Sequence, residues 1–332
     1  METLLLNPDD VDEHAAMAEV IVAVEEAFAA YEADRVIMPA KSYIDLPEYN
    51  GDFRSMPAYM DAGEWDAAGI KWVNVHTDNP DAYDLPTVLG TMIYSDPRNA
   101  FPLAILDGTT LTRKRTGAAA AVATDHLAVP DAGSLGIVGA GVQSYTQLEA
   151  IRTVRDIERV IVADAREDAI ERFVDRFGGG ELDVRGGSIA EAAGCDVLST
   201  VTPVESPIVH AADLGDRTHI NAMGADAPGK NELARDVVTA ATIVIDDHEQ
   251  CTHSGEINVP YGEGVLDDAD LYGTLGEIAA GNRPGRTDDD GVTVFDSTGL
   301  AIQDVAAAHV AYQRASERGG GTPFELVDTR LR

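Results

Sequence analysis

The sequence predicts an α/β chain in which a doubly wound parallel sheet is joined to an α+β domain. Three observations lead there. From residue 134 onward, strand-like and helix-like segments alternate, as in successive βαβ units. The first of those strands runs into a glycine turn and then helix-like sequence, the corner at which such sheets bind nucleotides. Before residue 110 the strand-like segments instead follow one another with only turns between them, which suits an antiparallel or mixed sheet. At 332 residues the chain has room for two domains and a well-buried core.

In chain order, VDEHAAMAEVIVAVEEAFAAYEA (11–33) carries apolar residues at helical spacing and reads as one amphipathic helix. VIMPAKSYID, DFRSMPAYM, GIKWVNVH, PTVLGTMIYSD and FPLAILDG read as strands broken by turns. RTGAAAAVATDHLA (115–128) is a helix of small residues. LGIVGA, RVIVAD, DVLSTV, HINAMGA, TIVIDD and VTVFDS are the expected parallel strands. LAIQDVAAAHVAYQRASER (300–318) is a further amphipathic helix, and its place after the last strand lets it return to the first domain. The expected division is a discontinuous domain of residues 1–117 and 300–332 with a Rossmann domain, residues 118–299, inserted in it.

Composition narrows the function classes. Hydrophobic residues at 45% and charged residues at 25% are ordinary globular values. Against 58 acidic residues stand 24 basic ones, a net charge of −34 that repels nucleic acid and anionic membranes, so neither is an expected partner. The acids are spread through every segment rather than gathered in one block, which fits adaptation of the whole surface to high salt. No apolar run reaches the length of a membrane span, and METLLLNPDDVDEH lacks the basic start and cleavage site of a signal peptide. Two cysteines, Cys195 and Cys251, make no disulfide framework, and a soluble, cytoplasmic protein is the expectation. His248, Cys251 and His253 carry donor atoms but match no metal-site spacing, so no metal is expected.

The stretch LGIVGAGVQSYTQLEA places Gly139, Gly141 and Ser144 at the three fingerprint positions of a dinucleotide corner. The first allows the tight turn and the second lets backbone approach a pyrophosphate. The third needs only a small side chain, so serine serves. Asp164 ends the next strand, close to the usual spacing of about 20 residues. A carboxylate there accepts from ribose hydroxyls and repels a 2′-phosphate, favouring NAD over NADP, although Arg166 nearby is a possible phosphate partner. On so negative a surface, the helix N-terminus and its amides carry more of the work of holding an anionic cofactor.

A chain this poor in lysine makes its retained cations conspicuous. Lys71 lies between Ile70 and Trp72 in an apolar strand, Lys41 in MPAKSYID, Arg54 in DFRSMPAY, and Arg115 opens RTGAAAA. A buried cation needs an anionic partner, which is either a structural carboxylate or that of a substrate. Asp226, in NAMGADAPGK, follows a strand of the parallel sheet, where it serves as a helix cap or as a proton shuttle.

These segments resemble the ornithine cyclodeaminase/μ-crystallin family, which also contains the archaeal type of alanine dehydrogenase. RSMPAY, GIKWVNVH, the PTVLGTMIYSD–FPLAILDGTTLTRKRTGAAAAVAT block, LGIVGAGVQ, INAMGADAPGK, SGEI and FDSTGLAIQDVA carry the resemblance. It implies that Lys71 is the active-site lysine contacting the substrate's carboxylate or the substituent of its reacting carbon. Arg115 is then the carboxylate-binding arginine, Lys41 a further basic substrate position, and Asp226 the acid–base aspartate that handles water or ammonia. Thr116, Gly139, Gly141, Val142, Gln143, Asp164, Arg166, Thr202, Met223, Gly224, Ser297 and Thr298 fall at the cofactor. Family members are homodimers, with the first domain forming the interface. Where ornithine cyclodeaminases carry a glutamate suited to a distal ammonium, this chain has Arg54, which repels that ammonium and is shared with the archaeal alanine dehydrogenases. The expected activity is NAD-dependent interconversion of L-alanine with pyruvate and ammonia. Ornithine cyclodeamination, cyclic ketimine reduction and cofactor binding without turnover are the alternatives.

Overall fold

The structure, a computed structural model, describes residues 2–328. Residues 1 and 329–332 of the expected first domain lie outside the described residues. In chain order the elements begin β1 (Thr3–Leu6), α1 (Pro8–His14), α2 (Met17–Glu32), β2 (Val36–Ile37), β3 (Ser42–Leu46), β4 (Gly51–Asp61), β5 (Asp66–His76), α3 (Asn79–Tyr83), β6 (Val88–Ser95), β7 (Pro102–Asp107) and α4 (Gly108–Leu127). They continue β8 (Ser134–Val138), α5 (Val142–Val154), β9 (Arg159–Ala163), α6 (Glu167–Phe177), β10 (Asp183–Gly186), α7 (Ile189–Ala193), β11 (Val197–Thr200) and β12 (His219–Ala222). The last are α8 (Arg235–Val238), β13 (Thr242–Ile245), α9 (His248–Ser254), α10 (Asn258–Gly262), β14 (Leu271–Thr274), α11 (Leu275–Ala279), β15 (Thr293–Asp296), α12 (Ala301–Arg318) and β16 (Thr322–Phe324).

Two compact units result, one from the chain up to Arg115 together with the chain from Leu300 onward, the other Thr116–Gly299. The first holds a mixed sheet in the order β16-β1-β7-β6-β5-β4-β2, with β3 also paired to β4. Among the described residues only the β1–β7 pairing is parallel in it. Helix α12 lies against β4, β5 and β6 and also against α2, so its alanine-rich sequence is buried almost throughout.

The expected single helix at 11–33 is two. Asn7 caps α1 by accepting from Asp9 and Asp10 amides. Ala16 then turns extended, at φ −63° and ψ 123°, before α2 begins. The break lets α1 dock on α12 and β7 while α2 follows α12, a tertiary arrangement that outweighs a continuous helical pattern. VIMPAKSYID likewise divides into β2 and β3 at MPAK, because proline donates no ladder hydrogen bond.

The second unit is an eight-stranded sheet, order β10-β9-β8-β11-β12-β15-β13-β14, parallel throughout. The order reverses direction between β8 and β11, the crevice where doubly wound sheets bind ligands at strand C-termini. The expected parallel strands all form; β10 and β14 are short edge strands whose sequences, DVRG and LYGT, carry little apolar pattern.

Inside β8, a Cβ on Gly136 would stand 1.9 Å from the Ala192 carbonyl oxygen of α7. Gly136→Ala is expected to lower the unfolding midpoint by roughly 3–10 °C, the effect of about 1–3 kcal/mol of overpacking. An unchanged thermal melt would show that α7 moves aside freely.

Candidate active site and cofactor corner

In the first unit Lys71 and Arg54 lie on one face of the sheet. Lys71 points from β5 toward α12, 1% exposed, with Nζ 2.8 Å from Asp304 Oδ1 and 2.7 Å from Oδ2. Arg115 also reaches Asp304, its Nε 3.2 Å from Oδ1, and its Nη1 donates to Gln303 Oε1 at 3.1 Å. Burial pulls Lys71 down to about 7; Asp304 opposes that shift, while the charges of Arg115 and Lys41 reinforce it. Lys71 therefore feels the charges of both Arg115 and Lys41, and shares Asp304 as a counter-ion with Arg115. Such a surplus of positive charge in a buried place suits a carboxylate ligand.

Arg54 shares the face of Lys71, since it pairs across the sheet with Val73, two residues along β5. Asp52 holds its guanidinium through Nε, 3.1 Å from Oδ1 and 3.0 Å from Oδ2, and Nη2, 2.8 Å from Oδ2. The Tyr43 ring lies beneath it at 5.5 Å. Both arrangements fix its direction.

In the second unit, β8 ends in a turn that only glycine enters without strain. Gly139 has φ 103°, and a Cβ there would lie 2.9 Å from the Val201 carbonyl oxygen. Around Gly141 nothing stands within 4 Å of a Cβ position, leaving its backbone open to approach. Val142 and Gln143 open α5, which has no side-chain cap, and a helix start of this kind is where backbone amides can hold an anion. Gln143 Oε1 is buried and has no hydrogen-bond partner, an acceptor left for something else. Ser144 is fully buried and donates from Oγ to the Gly141 carbonyl at 2.6 Å, so the third fingerprint position is tight and self-satisfied.

Asp164 follows β9 and accepts from the Ala140 amide at 2.7 Å and the Arg166 amide at 2.8 Å. It braces the glycine turn, and Arg166 itself is exposed. The open glycine, the helix start, the acceptor of Gln143 and the acid after β9 fit a dinucleotide. Thr116 is buried on α4, and its carbonyl accepts from Gln147 Nε2 at 3.5 Å.

Thr202 follows β11, Met223 and Gly224 follow β12, and Ser297 and Thr298 follow β15, all at strand C-termini. Asp226 sits in the loop after β12, half-exposed, with Lys230 Nζ 2.9 Å from Oδ1. Asn258 secures the end of that loop by accepting from the Gly229 amide and donating to the Lys230 carbonyl.

Sequence reasoning missed Asp304, Gln303, Lys230, Glu232 and Asp246. Asp304 had left a signal: an acid amid the apolar residues of LAIQDVAAAHV is misplaced unless a buried cation meets it. Among the described residues no group of three or more His, Cys, Asp or Glu is placed to hold a metal. No helix among them is long and apolar enough to cross a membrane.

Comparisons with known proteins bear on this geometry. The model of the ornithine cyclodeaminase/mu-crystallin family matches residues 1–319. An alanine dehydrogenase of Archaeoglobus fulgidus is 45% identical over 326 residues, covering 98% of this chain and 99% of that one. A solved archaeal alanine dehydrogenase dimer with bound NAD superposes with a TM-score of 0.93 at 44% identity, covering 98% of this chain and all of that one (100%). The Δ1-pyrroline-2-carboxylate reductase of Thermococcus litoralis, solved with NADH and L-proline, gives a TM-score of 0.92 at 34% identity over 96% of this chain and 99% of that one. The match extends through both the cationic face and the glycine corner, and on it the chain belongs to the ornithine cyclodeaminase/mu-crystallin family.

Proposed function

We propose that this chain is an NAD-dependent alanine dehydrogenase, converting L-alanine, water and NAD into pyruvate, ammonia and NADH. The observation that carries the proposal is the buried pair Lys71 and Arg115 on Asp304, with the charge of Lys41 felt at Lys71, a positive excess that calls for a small carboxylate. Arg54, already oriented by Asp52, adds a cation that an ornithine side chain would meet with repulsion. Relatives that are alanine dehydrogenases support the reading.

The residues then divide the work. Arg115 and Lys41 hold the substrate carboxylate by charge-assisted hydrogen bonds. Lys71 polarises the substituent on the α-carbon, and its lowered affinity for a proton lets it release and recover one near neutrality. When bound, NAD supplies the redox chemistry by accepting the α-hydrogen with its electron pair. Asp226 takes a proton from the water that adds to the resulting imine and returns it to the departing ammonia. Gly139, Gly141, Val142, Gln143 and Asp164 seat the cofactor, with Thr116, Arg166, Thr202, Met223, Gly224, Ser297 and Thr298 completing its surroundings. In this reading the first unit is the substrate-binding and dimerisation domain and the second the NAD-binding domain.

We read the protein as a cytoplasmic homodimer. On the sheet face turned away from Lys71, Pro57, Ile70, Trp72, Ile93 and Ile105 are neighbours, and Trp72 is 42% and Ile93 38% exposed. A second copy is the occupant that the dimeric relative suggests. The net charge of −34 is read as adaptation to salt, and the unfolding midpoint is expected to rise as KCl is raised from dilute to molar.

The test of function uses the purified protein in molar KCl. NADH should accumulate when L-alanine and NAD are supplied. Proline formed from L-ornithine without net NADH would replace this reading by a cyclodeaminase. Rapid NADH-dependent reduction of Δ1-pyrroline-2-carboxylate, with alanine inert, would replace it by the activity of the Thermococcus relative.

A further inference from the structure

The second unit contains a run of buried carboxylates that the proposed chemistry does not use. Glu232 is fully buried, and its Oε1 accepts from the Thr202 amide at 2.8 Å and the Thr202 hydroxyl at 2.7 Å. Its Oε2 accepts from the Gly224 amide at 3.1 Å. One side chain thus ties the turn after β11 to the turn after β12. Gly224 fits this closely, because a Cβ there would lie 2.4 Å from Glu232 Oε2.

The run continues by one device repeated. The Glu256 carboxylate accepts from the Glu232 amide at 2.8 Å and 3.0 Å and from the Leu233 amide at 2.6 Å. The Asp296 carboxylate accepts from the amides of Glu256 at 2.8 Å and Ile257 at 3.1 Å. Asp246 donates its amide to the Asp296 carbonyl at 3.0 Å, and the Cys251 thiol bridges to Asp246 Oδ1 at 3.1 Å and the Asp296 carbonyl at 3.4 Å. At the far end, Asp246 Oδ2 accepts from the Ser297 hydroxyl and from the Thr298 and Gly299 amides, at 2.9, 2.8 and 2.9 Å.

Buried carboxylates are costly, and these four are buried without a basic side chain among the hydrogen-bond partners just named. Backbone amides are the compensation: those at the two ends of the run, from Thr202, Gly224, Thr298 and Gly299, belong to the turns at the C-termini of β11, β12 and β15, and those between come from residues 232–233 and 256–257. Both ends of the run therefore stop at turns placed at the cofactor in the proposed function, while the glycine corner after β8 is braced separately by Asp164. We propose that Glu232 and Asp246 are positioning residues that hold the turns 202, 223–224 and 297–299 for the nicotinamide half of the cofactor. The inference rests on the cofactor reading above and adds the residues that give that half of its site a fixed shape.

The test separates the two halves of the ligand. NADH contains the nicotinamide; ADP-ribose has the adenosine and pyrophosphate without it. Affinities for both are measured on full-length wild type, Glu232→Gln and Asp246→Asn in molar KCl, with thermal melts alongside. An amide at 232 cannot accept on both arms, and the Gly224 bond is lost. Each variant is expected to weaken NADH at least about tenfold, the size of one lost charge-assisted hydrogen bond, and to leave ADP-ribose within about twofold. Equal weakening of both ligands, or of neither, overturns the assignment. If Glu232→Gln does not fold, Asp246→Asn decides the matter from the other end. Wild-type protein that binds NADH more tightly than ADP-ribose but oxidises no alanine refutes the substrate reading alone, and the two affinities still decide this one.

Discussion

Lys71→Met is expected to lower kcat/KM for alanine oxidation about a thousandfold while NADH affinity stays within about twofold. Methionine fills nearly the same volume in the buried strand, so the change removes charge more than shape. In the wild type, Lys71 and Arg115 share Asp304, which leaves the group one positive charge in excess. The variant leaves Arg115 and Asp304 as a neutral pair, so the excess that would attract a substrate carboxylate falls by the charge of Lys71. Because Asp304 keeps Arg115, the stability loss should fall below the ~3–5 kcal/mol typical of a buried charge left alone. Steady-state kinetics and NADH titration read the two halves of the expectation. Activity within about tenfold of wild type would remove Lys71 from the mechanism.

Asp304 sets the direction of the expected pH response. Its charge raises the Lys71 pKa against burial, and the balance stands at about 7. Asp304→Asn removes that support, so Lys71 loses its proton at lower pH. If the cation is the active form, activity vanishes as pH rises through that value, and the alkaline limb of the pH profile should move down in the variant.

Asp226→Asn is expected to lower kcat about 10²- to 10⁴-fold in either direction, with KM for NAD little changed. An amide has nearly the same size and still accepts from Lys230, so the loop keeps its form. What it loses is basicity: it cannot take a proton from water. The loop is pinned independently at Gly224 by Glu232 and at Gly229 and Lys230 by Asn258. A rate loss therefore reports chemistry rather than collapse. Parallel determination of kcat and KM checks it; a variant impaired only in KM would make Asp226 a binding residue.

How much of this was legible beforehand follows from what kind of information each feature needs. The parallel strands announce themselves because a buried sheet demands apolar runs, and LGIVGA or TIVIDD are such runs. Strands β10 and β14 were invisible since edge strands can be short and polar. The break between α1 and α2 is set by docking on α12 and β7, which no local pattern encodes. Gly139, Gly141 and Asp164 could be placed because a fixed spacing serves one geometry. Asp304 could not be assigned to Lys71, and Glu232 could not be joined to Thr202, because those partners meet only through tertiary structure. The cations were readable as a group through their scarcity in an acidic chain, whereas their shared counter-ion was not.

The central claim, that the cationic face and the glycine corner serve reductive amination of a small oxo acid, is tested most directly by tracing nitrogen. The protein in molar KCl is supplied with pyruvate, NADH and ammonium labelled with heavy nitrogen, and the products are analysed by mass spectrometry. The account predicts L-alanine carrying the heavy nitrogen, formed in step with NADH oxidation. NADH consumption with a cyclic imine but no labelled alanine from pyruvate would contradict it.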